Sequence, residues 1–228
     1  MEERRIARIS AVAALDEPTR RQVYEHVTGE REPVSRDEVA AALGLPRTTA
    51  AFHLERLAGQ GLLDVVFERR TGRTGPGAGR PAKLYRRPAC DIAVSLPERH
   101  YDLAGLLLAD ALVEAERSGD TPRAALDRRA HRLGVELGGA ARAADGRDPR
   151  TAALDALAEH GYEPVVEDGD VVLRNCPFHR LAREHTELVC GMNLRLLDGF
   201  LEGLGAPGLT ARLAPSPGHC CVRLRPAP

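Results

Sequence analysis

Along residues 33–63, PVSRDEVAAALGLPRTTAAFHLERLAGQGLL, apolar positions recur at helical spacing in two short blocks. Val39, Ala42 and Leu43 give the first block an apolar face, and Ser35 and Glu38 stand at its head with capping-box spacing. Gly44 ends that helix and Leu45 packs the turn. Pro46 can open the second helix, in which Ala50, Leu54 and Leu57 share one side. Arg47, Thr48, Thr49, His53 and Arg56 are left outward, and Gly59 and Gly61 stop the helix. An earlier helix, LDEPTRRQVYEHV, has Asp16 or Glu17 to serve its first turn and Pro18 at its first position. Downstream, LLDVVFERR and AKLYRR read as two strands on either side of a Gly/Pro-rich stretch that cannot hold a regular element. Two short helices joined at a glycine, followed by a hairpin, predict a winged helix-turn-helix over residues 1–90.

The pattern changes after residue 90. Residues 97–117 read as one helix with a wide stripe of Leu103, Leu106, Leu107, Ala111 and Leu112. A second helix follows Thr121 as cap and Pro122 at its first position. Residues 91–146 are therefore expected to be a helical linker that forms a homodimer, since helix-turn-helix proteins usually read two half-sites about 34 Å apart. Residues 147–228 alternate differently. A helix ends at Gly161, and Val165-Val166 and Val171–Leu173 flank Asp168-Gly169, a hairpin signal. A long apolar helix and two short strands around a Pro/Gly turn complete a small domain. The fold class is α+β: an N-terminal winged helix-turn-helix, a helical dimerisation segment and a C-terminal α+β sensor domain.

Composition sharpens this division. The chain has 228 residues, 43% of them hydrophobic but only 4% aromatic and with no Trp, so its cores must be built mostly from Leu, Val and Ala. The net charge of −1 hides an asymmetry. Residues 1–89 carry 16 Lys/Arg against 12 Asp/Glu, and residues 90–228 carry 16 against 21. A basic front on an acidic back suggests that only the front meets a polyanion. Double-stranded operator DNA is the expected partner. Arg47, Thr48, Thr49, His53 and Arg56 of the second helix would face the major groove, while Arg69, Arg70, Arg73, Arg80 and Lys83 of the wing neutralise phosphates. The opening MEERRIARIS lacks the apolar core of a signal peptide, and no apolar run approaches the roughly 18 residues that span a bilayer. The expectation is a cytoplasmic protein without a membrane partner, in which thiols stay reduced.

Thiols are the remaining chemistry. Cys90 stands alone at the junction and reads as a packed or incidental residue. Cys176, Cys190, Cys220 and Cys221 lie in the last domain, with thirteen residues between the first two and twenty-nine before Cys220. This is not the spacing of a zinc ribbon or a bacterial ferredoxin. One unbroken helix from Cys176 to Cys190 would hold them about 21 Å apart, so the chain must break if both bind one centre. EHTEL offers the break, with Thr186 able to cap a new helix. In a strand, Cys220 and Cys221 would point to opposite faces. Neither a C-x-x-C pair nor the H-E-x-x-H signature is present, which argues against an enzyme. A thiol or metal enzyme fused to a DNA-binding arm is the remote alternative.

LDEPTRRQVYEHV, TTAAFHLERLAGQGLL and GRPAKLYRR resemble the winged-helix domain of bacterial regulators related to the ArsR type, over roughly residues 10–90. GRPAKLY is similar to the subgroup that includes SufR, an iron–sulfur-sensing repressor. Cys176-Pro177, Cys190 and Cys220 match the three widely spaced cysteines of such regulators; the additional Cys221 is a departure. The resemblance implies a probe of redox or iron–sulfur status: a repressor with Cys176, Cys190 and Cys220 around a 2Fe-2S or 4Fe-4S cluster. The fourth ligand is left open among His179, His185, Cys221 and an outside molecule. The rival is zinc in a Cys3His set, Cys176, His179, Cys190 and Cys220, or a small ligand in the back domain.

Overall fold

A computed structural model of the chain describes residues 2–69, 81–145, 148–206 and 208–227. They divide into two compact units, residues 1–94 and residues 95–228. The helices expected to form a separate segment over 91–146 belong to the second unit's own core.

In the first unit, α1 (Glu2–Ala14) precedes α2 (Pro18–Gly29), whose first turn is capped by Glu17. The Glu17 carboxylate accepts from the backbone N–H of Thr19 at 3.0 Å and of Arg20 at 2.6 Å. Then come β1 (Val34–Ser35), α3 (Arg36–Leu43), α4 (Arg47–Gly59) and the hairpin strands β2 (Asp64–Glu68) and β3 (Ala82–Arg86). Ser35 and Glu38 form the reciprocal cap: the Ser35 N–H donates to Glu38 Oε2 at 2.7 Å and the Glu38 N–H to Ser35 Oγ at 3.3 Å. Gly44 has φ of 63°, the left-handed conformation that ends α3 and lets Leu45 N–H reach Ala40 O at 2.9 Å. The strands pair antiparallel in the order β1-β3-β2, with Tyr85 opposite both Val34 and Val65. Val23, Val39, Ala50, Leu54 and Leu57 fill the core between helices and sheet.

The second unit begins with a short irregular stretch. The helix expected from residue 97 starts four residues later, as α5 (Tyr101–Ser118). Residues 98–100 are claimed by tertiary contacts instead: Asn175 Nδ2 donates to Glu98 O at 3.0 Å, and His100 N–H donates to Pro177 O at 3.1 Å. The remaining elements are α6 (Pro122–Asp145), α7 (Pro149–Glu159), β4 (Pro164–Glu167), β5 (Asp170–Leu173), α8 (His179–Glu184), α9 (Thr186–Leu204), β6 (Leu209–Leu213) and β7 (Val222–Pro226). Asp168 and Gly169 take φ of 50° and 88°, which closes the two-residue β4–β5 turn and places Glu167 opposite Asp170. The strands form an antiparallel sheet in the order β4-β5-β7-β6.

The α9 helix buries most of its length in this unit's core, with Arg195 and Glu202 left on an exposed strip. It lies parallel to α6 at backbone-contact distance. A Cβ built on Gly134 would stand 2.1 Å from Leu196 O, and one on Gly138 would stand 2.1 Å from Phe200 O. Reciprocally, one on Gly199 would stand 2.1 Å from His131 O, and one on Gly203 would stand 2.1 Å from Val135 O. Four glycines, two per helix and each pair four apart, therefore set the spacing of the crossing. Among the described residues no helix is long and apolar enough to cross a membrane.

Candidate nucleic-acid interface and thiol centre

The α4 helix has three kinds of surface. Ala50, His53, Leu54 and Leu57 face the core. Glu55, on one flank, is tied to the sheet, accepting from Lys83 Nζ at 2.5 Å and from Tyr85 Oη at 2.8 Å. These bonds, that of Lys83 first, hold the Glu55 carboxyl below its ordinary range. Thr48, Phe52 and Arg56 form the free row, one turn apart, and all three are exposed. Thr49 is half-buried.

One expected DNA contact is placed differently from the outward set read in the sequence. His53 is turned inward, only 7% exposed, with Nδ1 3.5 Å from Glu17 Oε2. The reason is rotational: at about 100° per residue His53 falls beside Leu54, Leu57 and Ala50 on the helix. Phe52 falls about 200° from Ala50 and is 62% exposed, although it is apolar. The same count applied to the sequence finds it. Arg47 is exposed at the first turn, but its guanidinium is held by Asp37, with Nε 2.7 Å from Oδ1 and a second bond from Nη2 to Oδ2. That bond holds the Asp37 carboxyl below its usual range. Lys83 sits 5.5 Å over the Tyr85 ring as well as against Glu55, so its charge is already engaged. Arg69 is exposed at the end of β2. Arg70, Arg73 and Arg80 lie outside the described residues.

In the second unit three segments bring four thiols together. Cys176 follows β5 and precedes α8, and Arg99 Nη1 donates to its carbonyl at 3.0 Å. Cys190 lies in the second turn of α9. The break expected at EHTEL is present at His185, with φ of −131° between α8 and α9. Thr186 does not cap α9; its hydroxyl donates back to Ala182 O at 2.8 Å and fastens the two helices end to end. Cys220 and Cys221 stand in the turn before β7, not in a strand, so the alternation expected of adjacent strand residues does not separate them. Cys220 N–H donates to Leu173 O at 2.8 Å, which ties this turn to the end of β5 beside Cys176.

Each thiol's titration is governed by a neighbouring thiol: Cys176 by Cys220, Cys220 by Cys176 and Cys221, and Cys221 and Cys190 by one another. The neighbouring Cys220, with burial, raises the Cys176 thiol. The Cys220 thiol is lowered by Cys176, but Cys221 and burial outweigh this and push it up to about 12. The neighbouring Cys190 pushes Cys221 up to about 12, against a lowering by Cys220. Cys190 is lowered by Cys221. A buried polar pair supports the thiols from below. Asn193, 0% exposed, donates from Nδ2 to Cys220 Sγ at 3.2 Å, and Tyr162 Oη donates to Asn193 Oδ1 at 2.6 Å. Burial raises the Tyr162 hydroxyl far above its ordinary range, so it stays protonated and keeps donating.

His179 and His185 are exposed, and neither belongs to this thiol group. The thiols are not a preassembled ion site: among the described residues no group of three or more His, Cys, Asp or Glu side chains is arranged to hold a metal. Cys90 is exposed in the other unit.

No curated protein and no solved structure matches the chain. Residues 15–66, from just before α2 into β2, match the family model of a helix-turn-helix domain. With the capped α3, the left-handed Gly44 and the free face of α4, that match supports a DNA-binding regulator built on an N-terminal helix-turn-helix domain in a chain of mixed helix and sheet.

Proposed function

We propose that the chain is a homodimeric transcriptional regulator, a repressor working in the cytoplasm, whose C-terminal thiols hold an iron–sulfur cluster that modulates operator binding. One observation carries this reading: Cys176, Cys190, Cys220 and Cys221, scattered over forty-six positions of the chain, come together as neighbours that shift one another's titration. Packing alone has no use for four adjoining sulfurs that shift one another's proton affinity, some up and some down. Soft thiolate donors from separate segments suit iron–sulfur ligation. Cys221 completes the donor set in place of the exposed His179 or His185. When bound, such a cluster supplies an electron-transfer couple and a group that oxidation removes.

The chain's own residues would do the rest. Ligation requires the thiols to lose their protons, and the four would then serve as anchors on α9, on the turn before β7 and on the segment before α8. Asn193 keeps its N–H directed at Cys220. Because α9 touches α6 backbone to backbone, a shift at Cys190 reaches α6, which packs on α5. The α5 helix exposes Leu106 at 66% and, seven residues on and on the same face, Val113 at 45%. A second copy of the chain is the occupant we assign to that face, in keeping with the paired half-sites of helix-turn-helix readers. Ligation then favours one of two dimer arrangements and so changes operator affinity.

A second reading shares the same donors, since four thiolates also suit structural zinc. Iron and acid-labile sulfide, measured on anaerobically purified protein, separate the two. The expected result is iron with sulfide, a visible chromophore that Cys176→Ser or Cys190→Ser abolishes, and a helix-turn-helix domain that stays folded. Zinc without sulfide, or a chromophore undiminished in both variants, refutes the cluster assignment.

A further inference from the structure

The free row of α4 contains one residue that charge arguments leave out. Thr48, Phe52 and Arg56 follow one another at intervals of four, about 6 Å of helix rise each. The other exposed charged positions of the helix are occupied: Arg47 is held by Asp37, and Glu55 by Lys83 and Tyr85. Phe52 is 62% exposed, and its ring meets that of its own neighbour His53 edge-on, centroids 5.3 Å apart. An apolar ring held in water on the one face of a recognition helix left free for a ligand loses apolar burial until something covers it. In the major groove, the apolar group that base edges present is the C5-methyl of thymine.

We infer that Phe52 is a specificity-determining residue that packs on a thymine methyl in the operator. It stands one turn from Thr48 and one from Arg56, so it reads a base pair distinct from that addressed by Arg56. The inference rests on the DNA-binding reading of the first unit and is independent of what the thiols hold. Burying one methyl corresponds to about a fourfold change in affinity, at roughly 0.8 kcal/mol per carbon and 1.36 kcal/mol per factor of ten.

The test starts with the full-length protein and a random pool of duplex DNA, from which its preferred site is selected. Each thymine of that site is then replaced in turn by deoxyuracil, which removes only the methyl, and affinities are read by fluorescence anisotropy. At one thymine position per half-site the unmodified protein is expected to lose about fourfold in affinity. Phe52→Ala is expected to lose the thymine preference at that position, to be indifferent to the methyl there and to keep its other preferences; Phe52→Leu, still apolar, keeps part of it. Insensitivity of the unmodified protein to every methyl overturns the inference, as does a Phe52→Ala protein with the same site and the same thymine-to-uracil ratio. Failure of the unmodified protein to select any site overturns the DNA-binding reading itself, and the inference falls with it.

Discussion

The glycine crossing of α6 and α9 lends itself to a paired substitution on adjacent residues. Gly138 and Gly139 both lie within α6, so replacing either by Ala brings the same gain in helix preference, about 0.8–1 kcal/mol. Their surroundings differ. A Cβ on Gly138 meets Phe200 O at 2.1 Å and Leu204 N at 2.7 Å, whereas one on Gly139 meets nothing within 4 Å. Contacts below 3.0 Å are essentially not tolerated, and both partners at Gly138 are backbone atoms locked in the ladder of α9. The helices must therefore separate by about 1 Å, an overpacking that costs roughly 1–3 kcal/mol or more. Helix preference cancels between the two variants, so their difference isolates the crossing, at about 3 kcal/mol. At roughly 2–4 °C per kcal/mol for a chain of this size, Gly138→Ala should melt about 6–12 °C below Gly139→Ala. The latter should melt at or slightly above the unmodified protein. Thermal unfolding followed by circular dichroism measures this directly. Equal melting temperatures for the two variants would refute the close approach of α6 and α9, and with it the route from Cys190 to α6.

Tyr162→Phe should lower stability by about 1–3 kcal/mol, because it leaves the buried Asn193 carbonyl without its donor; denaturant titration should show a lower midpoint with an unchanged slope. His160 should make the second unit acid-sensitive. Burial, with the neighbouring His100, lowers its pKa, while the unfolded chain takes up the proton near the ordinary value of about 6.5. Its contribution is thus present above that value and is lost as pH falls below it; His160→Gln should flatten the stability profile between about pH 7 and 5. Leu106→Glu on α5 should give a monomer by sedimentation velocity if a second copy covers that face, with little change in the melting of a single chain.

Much of the scaffold was legible from short-range pattern. Pro18 after Glu17, Ser35 with Glu38, Gly44 and Asp168-Gly169 act through contacts within about four residues, and each stands at the helix start or turn its type demands. Helical periodicity also held the placement of Phe52 and His53: the outward assignment of His53 followed its polarity rather than its angle. The α1 helix, with Ile6 and Ile9 three apart, was legible on the same terms and not identified.

By itself, the sequence determined the helix-turn-helix order, the caps and hairpins, and the confinement of four thiols to one domain, because these depend on neighbours along the chain. Only the tertiary structure decided that Cys221 joins Cys176, Cys190 and Cys220 while His179 stays at the surface, that Asn193 and Tyr162 stand behind Cys220, and that four glycines set the α6–α9 distance. The contacts of Asn193 with Cys220 and Tyr162 join residues twenty-seven and thirty-one positions apart. Their geometry comes from how β5, β7 and α9 pack against one another, and no local preference along the chain encodes that.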